Sequence, residues 1–309
     1  MPKPDFFIAG APKCGTSALY TYLERHPDVF MSQRKEPMFF CDDLNIREGW
    51  RVSDPAAYLA MFDEGAGKKR IGEATTYYMI SRKAAANIRA FNPEARIILM
   101  VRNPVDMAHS LHREMLWNCN EDIEDFAQAI DAEDDRRQGR RLGRDVHFVG
   151  GLLYTEMADF EPQIRRYFDA FGRERVKVIV FDDFVKDTPA IFADTLRFLG
   201  LDDGFQTQFE RVNPSKPLKA RFVQRLYIRF PVVRRAVQAV VSPRRRQQFV
   251  TRILPRLGGK DSDRAPLDPA VRERLNQRMR PAVERLSELL GRDLTHWVAP
   301  RPTAAAAIG

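Results

Sequence analysis

The chain has 309 residues, of which 44% are hydrophobic, and carries a formal net charge of +8. This length and composition are sufficient for one large α/β domain, and we expect a single domain over residues 1–298. Cys14, Cys41 and Cys119 are far apart and have no metal-ligand spacing, which fits a reducing compartment and a protein without a disulfide framework. The sequence has no signal peptide and no apolar run of about 18 residues, so we expect a cytoplasmic protein.

A strand, a phosphate-binding loop and a helix follow one another directly over Asp5 to Leu23, DFFIAGAPKCGTSALYTYL. The apolar run of residues 6–9 predicts a strand that is buried on both faces. Gly10 and Gly15 bracket a loop whose backbone can approach an anion closely, and Lys13 supplies a positive charge. Since a helix N-terminus binds phosphate, this stretch predicts an anion site.

The spacing of this loop differs from the Walker pattern GxxxxGK[ST], because Lys13 precedes the second glycine and Thr16 stands in the place of the Walker lysine. Thr16 and Ser17 are predicted caps of the helix, and Cys14 a packing residue. The loop resembles the 5′-phosphosulfate loop of sulfotransferases that use 3′-phosphoadenosine 5′-phosphosulfate (PAPS); an ordinary glycine-rich turn is the alternative. The resemblance implies nucleotide contacts at Pro12, Lys13, Cys14, Gly15, Thr16, Ser17 and Ala18.

The next motif is Lys35-Glu36-Pro37, which interrupts the apolar segment VFMSQRKEPMFF. A half-buried carboxylate beside a lysine is a candidate acid or base, because desolvation and the cation shift its pKa in opposite directions. A solvated loop pair is the alternative. KEPMFF resembles a segment of the carbohydrate sulfotransferases, of the heparan-sulfate type and of bacterial relatives. That resemblance implies Glu36 as the base that takes the acceptor proton, with Lys35 near the transferred group.

A second short strand and a turn are predicted over residues 70–80, RIGEATTYYMI. The segment is similar to a Gly-Glu or Glu-Lys pair, followed by Ser or Thr and Tyr, near the active site of this family. The similarity implies that Glu73 orients an acceptor hydroxyl or the lysine. A structural hydrogen bond to the loop explains the same carboxylate equally well.

The second strong motif is RIILMVRNPVDMAHS. Residues 97–101 predict a central parallel strand, and Arg102 follows at its carboxyl end, where open α/β sheets bind ligands. Asn103 can cap the next helix with Pro104 at its first position, and Ser110 lies about two turns further on. The motif resembles the 3′-phosphate element R-[DN]-P-x-x-x-A-x-S of sulfotransferases. The resemblance implies that Arg102 and Ser110 bind the 3′-phosphate.

Three further predictions concern the middle of the chain. His109 and His112 match no catalytic position of the family and are predicted to be helix-face residues. Residues 117–145 have an acidic half and a basic half, which favours a solvated helix followed by a mobile loop over the alternative of a specific binding site. The periodicity predicts one amphipathic helix over residues 152–171.

A buried strand is predicted over residues 176–181 and is followed directly by Asp182 and Asp183. A hydrophobic run that ends in aspartate is also typical of a Walker B strand, so a kinase remains an alternative here. The sulfotransferase strand ends in a similar acidic pair and is followed by a helix and FLGL, which residues 198–201 match.

The positive charge is concentrated in residues 213–264, which contain fourteen Lys or Arg against two Asp. We predict a basic helical excursion or lid that covers the nucleotide, binds an anionic acceptor or contacts the inner face of a membrane. A core-packed helix with a solvated arginine face is the alternative. GGK at residues 258–260 weakly resembles the family's loop that closes over the nucleotide, which implies Lys260 as a contact.

The last predicted element is a helix in residues 267–297, with Asp268 as N-cap, Gly291 as terminator and a kink at Pro281. Residues 299–309 are rich in alanine and are expected to form a disordered tail.

Together the motifs predict an α/β protein with a P-loop-like, three-layer fold, in which helices flank a central parallel sheet. They imply a bacterial sulfotransferase that uses PAPS and no metal, with a saccharide or glycolipid acceptor and no nucleic-acid partner. Two alternatives stay open: a P-loop kinase that uses Mg-ATP and Asp182 or Asp183, and a non-catalytic protein that binds anions or a membrane.

Overall fold

The computed structural model describes residues 2–46, 49–144, 146–210 and 266–299, which form a parallel sheet flanked by helices. The strands are β1 (Phe6–Gly10), β2 (Val29–Met31), β3 (Arg70–Ala74), β4 (Arg96–Val101) and β5 (Val176–Val180). They lie in the order β2-β3-β1-β4-β5, and each neighbouring pair is parallel. The predicted α/β fold with a central parallel sheet is confirmed.

The helices alternate with these strands. They are α1 (Thr16–Glu24), α2 (Pro55–Ala60), α3 (Ala84–Phe91), α4 (Pro104–Trp117), α5 (Phe126–Asp131), α6 (Glu133–Arg137), α7 (Tyr154–Met157), α8 (Phe160–Phe171), α9 (Phe181–Lys186), α10 (Thr188–Leu199) and α11 (Pro269–Leu290). Short 3-10 turns lie at Asp63–Gly65, Thr76–Tyr78, Val149–Leu152, Arg173–Arg175 and Thr295–Val298.

The middle of the sheet is apolar because its strands are covered on both faces. All five residues of β1 are buried, and so are residues 97–101 of β4. Phe7 in β1 pairs with Glu73 on one side and with Ile97 on the other, which places β1 in the centre. Continuous apolar runs are typical of such strands, so the sequence predicted both of them.

All strands point in one direction, so the loops that follow them lie along the same edge of the sheet. This edge therefore collects the phosphate-binding loop after β1, Lys35 and Glu36 after β2, Thr75 after β3 and Arg102 after β4. Every one of the strong sequence motifs follows a strand, and the topology brings them together.

The prediction of a single helix over residues 152–171 is wrong, because the structure has two helices there, α7 and α8. The Gln163 side chain donates to the carbonyl oxygens of Glu156 (2.8 Å) and Met157 (3.4 Å), so a side chain satisfies groups that a continuing helix would have bonded. The apolar face of α8 packs on β4 and β5 and against α11.

The ends of α11 agree with the sequence. The Asp268 carboxylate accepts from the backbone N–H groups of Ala270 (2.8 Å) and Val271 (3.2 Å), and Gly291 ends the helix at a φ of 63°. The helix continues through Pro281.

The segment after α11 is attached to the edge of the sheet that carries the motifs. Trp297 Nε1 donates to Asp182 at 2.7 Å, just after β5, and the Trp297 carbonyl accepts from Asn103 Nδ2 at 2.7 Å, just after β4. Arg292 pairs with Asp183 beside it, with 2.9 Å between Nη2 and Oδ1. The C-terminal segment thus bridges the carboxyl ends of two neighbouring strands.

The prediction of a solvated helix for residues 117–145 is wrong in part, because three charged residues of this segment, Glu121, Glu133 and Arg136, are buried. Arg136 and Glu121 form an ion pair at 2.7 Å in which neither side chain is exposed, and Tyr154 Oη donates to the same carboxylate at 2.8 Å. Buried charges are tolerated when they are paired and hydrogen-bonded, which these are. The acidic and basic halves thus pack partly on each other.

Some predictions lie outside the described residues, namely the basic segment 213–264 with Lys260 and the tail beyond residue 299. Within the described ranges, no helix has the length and apolar character that a membrane crossing requires.

Candidate active site

The phosphate-binding loop requires glycine at both of its ends. Gly10 has a φ of 148°, and a Cβ atom there would lie 2.4 Å from Met79 Cβ. Gly15 has a φ of 97°, and a Cβ atom there would lie 3.1 Å from the Phe181 ring. Between them, Lys13 adopts a left-handed φ of 63°. Non-glycine residues in this region are uncommon and cluster at functional sites, so the loop has the character of a ligand-binding turn.

The amino end of α1 has N–H groups that no side chain caps among the described residues. The predicted capping by Thr16 and Ser17 is wrong, because Gly15 is the N-cap and the first helical bond runs from Ala18 N to Gly15 O. The N–H groups before that bond are the ones that bind anions at a helix N-terminus. Because no side chain caps them among the described residues, these N–H groups can donate to a phosphate.

Two cations flank this N-terminus. Lys13 Nζ lies 2.8 Å from Glu114 Oε2, and each side chain is one-third exposed. Arg102 Nη1 donates to the Lys13 carbonyl at 3.4 Å, and its guanidinium lies 4.8 Å from the centre of the Phe181 ring. Stacking on the ring and the bond to the loop fix Arg102 beside the phosphate-binding loop.

The Lys35-Glu36 segment contacts the same loop. Lys35 Nζ donates to Ser17 Oγ in the first turn of α1. The Glu36 backbone has a left-handed φ of 61°, and its N–H donates to the Ala74 carbonyl at 2.9 Å. The Glu36 carboxylate accepts from the Thr76 N–H at 2.8 Å. The predicted base and the predicted phosphate loop therefore lie at one place.

Burial shifts the pKa of Lys35 and the pKa of Glu36 in the directions that favour their neutral forms. Burial lowers the pKa of Lys35, against the opposing charges of Glu36 and Glu114. Burial also raises the pKa of Glu36, against the opposing effects of Lys35 and of the Thr76 hydrogen bond. A carboxylate with a raised pKa is a stronger proton acceptor than an exposed one, which suits a general base.

Glu73 is fully buried, and three hydroxyl groups occupy its carboxylate. Tyr58 Oη and Tyr78 Oη donate to Oε2 at 2.6 and 3.0 Å, and Thr75 Oγ1 donates to Oε1 at 2.7 Å. Desolvation raises the pKa of Glu73 to about 7. Of the two interpretations of Glu73, this geometry favours the structural one.

The hydroxyls around Glu73 also hold the loop that carries Glu36. Tyr78 Oη accepts from the Phe39 N–H at 3.0 Å, and Thr75 Oγ1 accepts from the Met38 N–H at 3.3 Å. Each hydroxyl has a single proton, so a hydroxyl that donates to Glu73 presents its lone pairs to the loop. Glu73 thus orients the loop indirectly, through the hydroxyl groups of Thr75 and Tyr78.

Cys14, Ser110 and Ala18 are further residues that the sequence predicts as nucleotide contacts. Cys14 is fully buried, its Sγ donates to the Pro12 carbonyl at 3.4 Å, and burial raises its thiol pKa to about 12, which fits a packing role. Ser110 lies on α4, one turn before Glu114, and Ala18 lies in the first turn of α1.

Sequence reasoning missed Glu114, which the structure places against Lys13. Glu114 follows Ser110 by four residues, so the two share a face of α4. That spacing is the available signal, since the resemblance of the motif implies that the face carrying Ser110 meets the nucleotide.

The two candidate Walker B carboxylates are engaged with the C-terminal segment, Asp182 with Trp297 and Asp183 with Arg292. Their hydrogen bonds give both residues a structural role at the end of β5. His109 and His112 lie on α4 as expected; His112 Nε2 bonds the Ile123 carbonyl at 2.9 Å, and burial lowers the pKa of both rings.

Comparison with known proteins gives one family. A family model described as a sulfotransferase domain matches residues 3–217. Carbohydrate sulfotransferase 15 of Homo sapiens is 30% identical over 167 residues, which cover 41% of this chain and 30% of that protein. Heparan sulfate glucosamine 3-O-sulfotransferase 6 of Homo sapiens is 32% identical over 113 residues, which cover 37% of this chain and 31% of that protein. The chain thus matches less than a third of the length of either relative.

Among solved structures, a sulfotransferase from Alicyclobacillus acidocaldarius superposes with a TM-score of 0.73 at 26% identity. The match covers 97% of this chain and all of the other. The fold around the site is therefore the P-loop-like one of this neighbour.

Proposed function

This chain belongs to the sulfotransferase family, and on that premise we propose that it moves a sulfuryl group from PAPS to a hydroxyl or amine of a saccharide or glycolipid. The likeness to a carbohydrate and a heparan sulfate sulfotransferase supports a sugar-containing acceptor. The proposal assigns the donor, the general base and the acceptor class, which the family alone leaves open.

The observation that carries the proposal is the hydrogen bond from Lys35 to Ser17 Oγ. It joins the loop of the predicted base to the helix N-terminus that would receive the phosphosulfate. A transfer reaction needs donor and acceptor side by side, and this contact brings the two parts of the protein that serve them together.

Two sets of residues support the nucleotide proposal, one for each end of the ligand. At the 5′ end, Lys13 and the N–H groups at the start of α1 offer positive charge and donors to a phosphate. At the 3′ end, Arg102 and Ser110 offer a guanidinium fork and a hydroxyl. A requirement for the 3′-phosphate would exclude ATP.

PAPS supplies the activated sulfuryl group. Glu36 accepts the proton of the acceptor hydroxyl or amine as the new sulfur bond forms. The bond between sulfur and the phosphate oxygen breaks, and its electron pair leaves with 3′,5′-ADP, whose charge Lys13 and the α1 amides stabilise. By analogy with phosphoryl transfer, positioning and electrostatics supply most of the catalysis.

For the location, we propose the cytoplasm, with contact between the basic residues 213–264 and an anionic membrane surface. Co-flotation with vesicles that contain phosphatidylserine, compared with vesicles of phosphatidylcholine alone, tests this contact. Equal flotation with both vesicle types would contradict the proposed contact with an anionic membrane.

The experiment for the reaction itself is calorimetric binding of 3′,5′-ADP, 5′-ADP and ATP, each with and without Mg²⁺. We expect tight, metal-independent binding of 3′,5′-ADP and weak binding of the other two. A preference for Mg-ATP would reject the proposal in favour of a kinase.

A further inference from the structure

The helix α4 reaches both ends of the proposed nucleotide site. Arg102 lies directly before it, Ser110 lies on its second turn, and Glu114 lies one turn further on the same face. Glu114 pairs with Lys13, the cation at the 5′ end, at 2.8 Å. The helix therefore carries a hydroxyl toward one phosphate and a negative charge toward the place of the other.

The charge of Glu114 belongs to a cluster with Lys13, Lys35 and Glu36. Its field raises the pKa of both Glu36 and Tyr77, and it opposes the effect of burial on Lys35. A phosphosulfate adds negative charge to the cluster, so the carboxylate of Glu114 disfavours it directly.

Lys13 is the residue for which the carboxylate and the nucleotide compete. An ammonium group has three donors on a flexible stem, so it can move from one oxygen acceptor to another without any change in the backbone. Lys13 and Glu114 are each one-third exposed, which leaves room for that movement.

We propose that Glu114 is a positioning residue for Lys13, holding its ammonium against α4 until a 5′-phosphate draws it away. Glu114 thereby lowers the affinity for the nucleotide and eases release of 3′,5′-ADP. The inference rests on the proposed function, because it needs a nucleotide whose 5′-phosphate lies at Lys13.

The test compares two ligands and a matched variant. The Glu114→Gln protein should bind 3′,5′-ADP about tenfold more tightly than the unchanged protein, because one opposing charge is gone. Its affinity for adenosine 3′-monophosphate, which has no 5′-phosphate, should not change. Glu94→Gln removes the same charge at the opposite end of β4, where Glu94 pairs with Arg175 at 2.8 Å, and should change neither affinity.

A second pair of variants separates action through Lys13 from simple repulsion. In a Lys13→Met background the competition for the ammonium is absent, so Glu114→Gln should improve 3′,5′-ADP binding only about threefold. An equal gain in both backgrounds would overturn the positioning role, and so would unchanged or weaker binding by Glu114→Gln alone. Failure of the unchanged protein to bind 3′,5′-ADP would overturn the proposed function and this inference together.

Discussion

The carboxylate of Glu36 is held by Thr76, whose backbone N–H donates to Oε2 at 2.8 Å and whose hydroxyl lies 3.3 Å from both carboxylate oxygens. Glu36 has a left-handed φ, as does Met38 two residues later. Such a backbone persists only where its surroundings determine it, and here the Thr76 contacts and the Ala74 carbonyl do so. The orientation of the candidate base is therefore fixed before any substrate binds.

Replacement of the base should separate chemistry from binding. Glu36→Gln keeps the size of the side chain but cannot accept a proton, so we expect turnover to fall by roughly 100-fold to 10,000-fold. Binding of 3′,5′-ADP should change little. Release of 3′,5′-ADP from PAPS, followed with an active acceptor, measures the first quantity, and calorimetry measures the second. Unchanged turnover would remove Glu36 from the mechanism.

Arg102→Ala should weaken nucleotide binding selectively. We expect the affinity for 3′,5′-ADP to fall by about 10-fold to 100-fold, because a charged hydrogen-bond donor to the 3′-phosphate is lost. Binding of 5′-AMP, which lacks that phosphate, should fall far less. Arg175→Ala, an arginine paired with Glu94 and Glu174 at the other end of the sheet, is the control. An unaltered dissociation constant for 3′,5′-ADP in Arg102→Ala would refute the assignment.

Tyr78→Phe should loosen the loop that carries Glu36. The change removes a donor to Glu73 and leaves the Phe39 N–H without the acceptor that it has now. We expect a loss of about 1–3 kcal/mol in the free energy of unfolding and a lower turnover number at nearly unchanged nucleotide affinity. Tyr22→Phe, which loses the hydrogen bond to the Glu210 carbonyl, is the matched control for stability, measured by urea unfolding. Equal turnover in the two variants would contradict this expectation.

The buried carboxyl of Glu73 should make stability depend on pH. Its pKa is raised to about 7 in the folded protein, whereas the ordinary value is 4.5. Between these values the folded protein retains a proton that the unfolded chain has released, so stability falls as the pH rises from about 4.5 to about 7. The loss is on the order of 3 kcal/mol.

Glu73→Gln removes this titration, and the difference between the two stability curves isolates it from other groups. We expect the free energy of unfolding of the unchanged protein to decline relative to Glu73→Gln across that pH range. Parallel curves would mean that Glu73 keeps an ordinary pKa in the folded protein.

The fold and much of the site could be predicted because their signals are local. Continuous apolar runs predicted β1 and β4, and Asn103 with Pro104 predicted the start of α4, where the Asn103 side chain accepts from two backbone N–H groups. The parallel order then brings loops from four strands to one edge without further information. A pattern within about ten residues was sufficient for each of these predictions.

The features that escaped prediction depend on residues distant in the chain. The ion pair of Lys13 with Glu114 joins the loop after β1 to α4. Glu121, buried in its pair with Arg136, also accepts a hydrogen bond from Tyr154 of α7, whereas composition alone favours a solvated segment there. Glu73 likewise depends on Tyr58, which lies on α2. The sequence pattern around a charged or hydroxyl side chain does not identify its partner, so these pairs are recognised only in the three-dimensional structure.

The bridge made by Trp297 has a consequence for how the protein matures during translation. Asn103 and Asp182 leave the ribosome before Trp297, so they gain their bonds to it only after all of the intervening residues have been synthesised. At about 5–20 residues per second, the nascent chain waits on the order of ten seconds or more with the ends of β4 and β5 unsecured. A ribosome-bound chain that stops before α11 should therefore be far more sensitive to protease near these strand ends than the released protein.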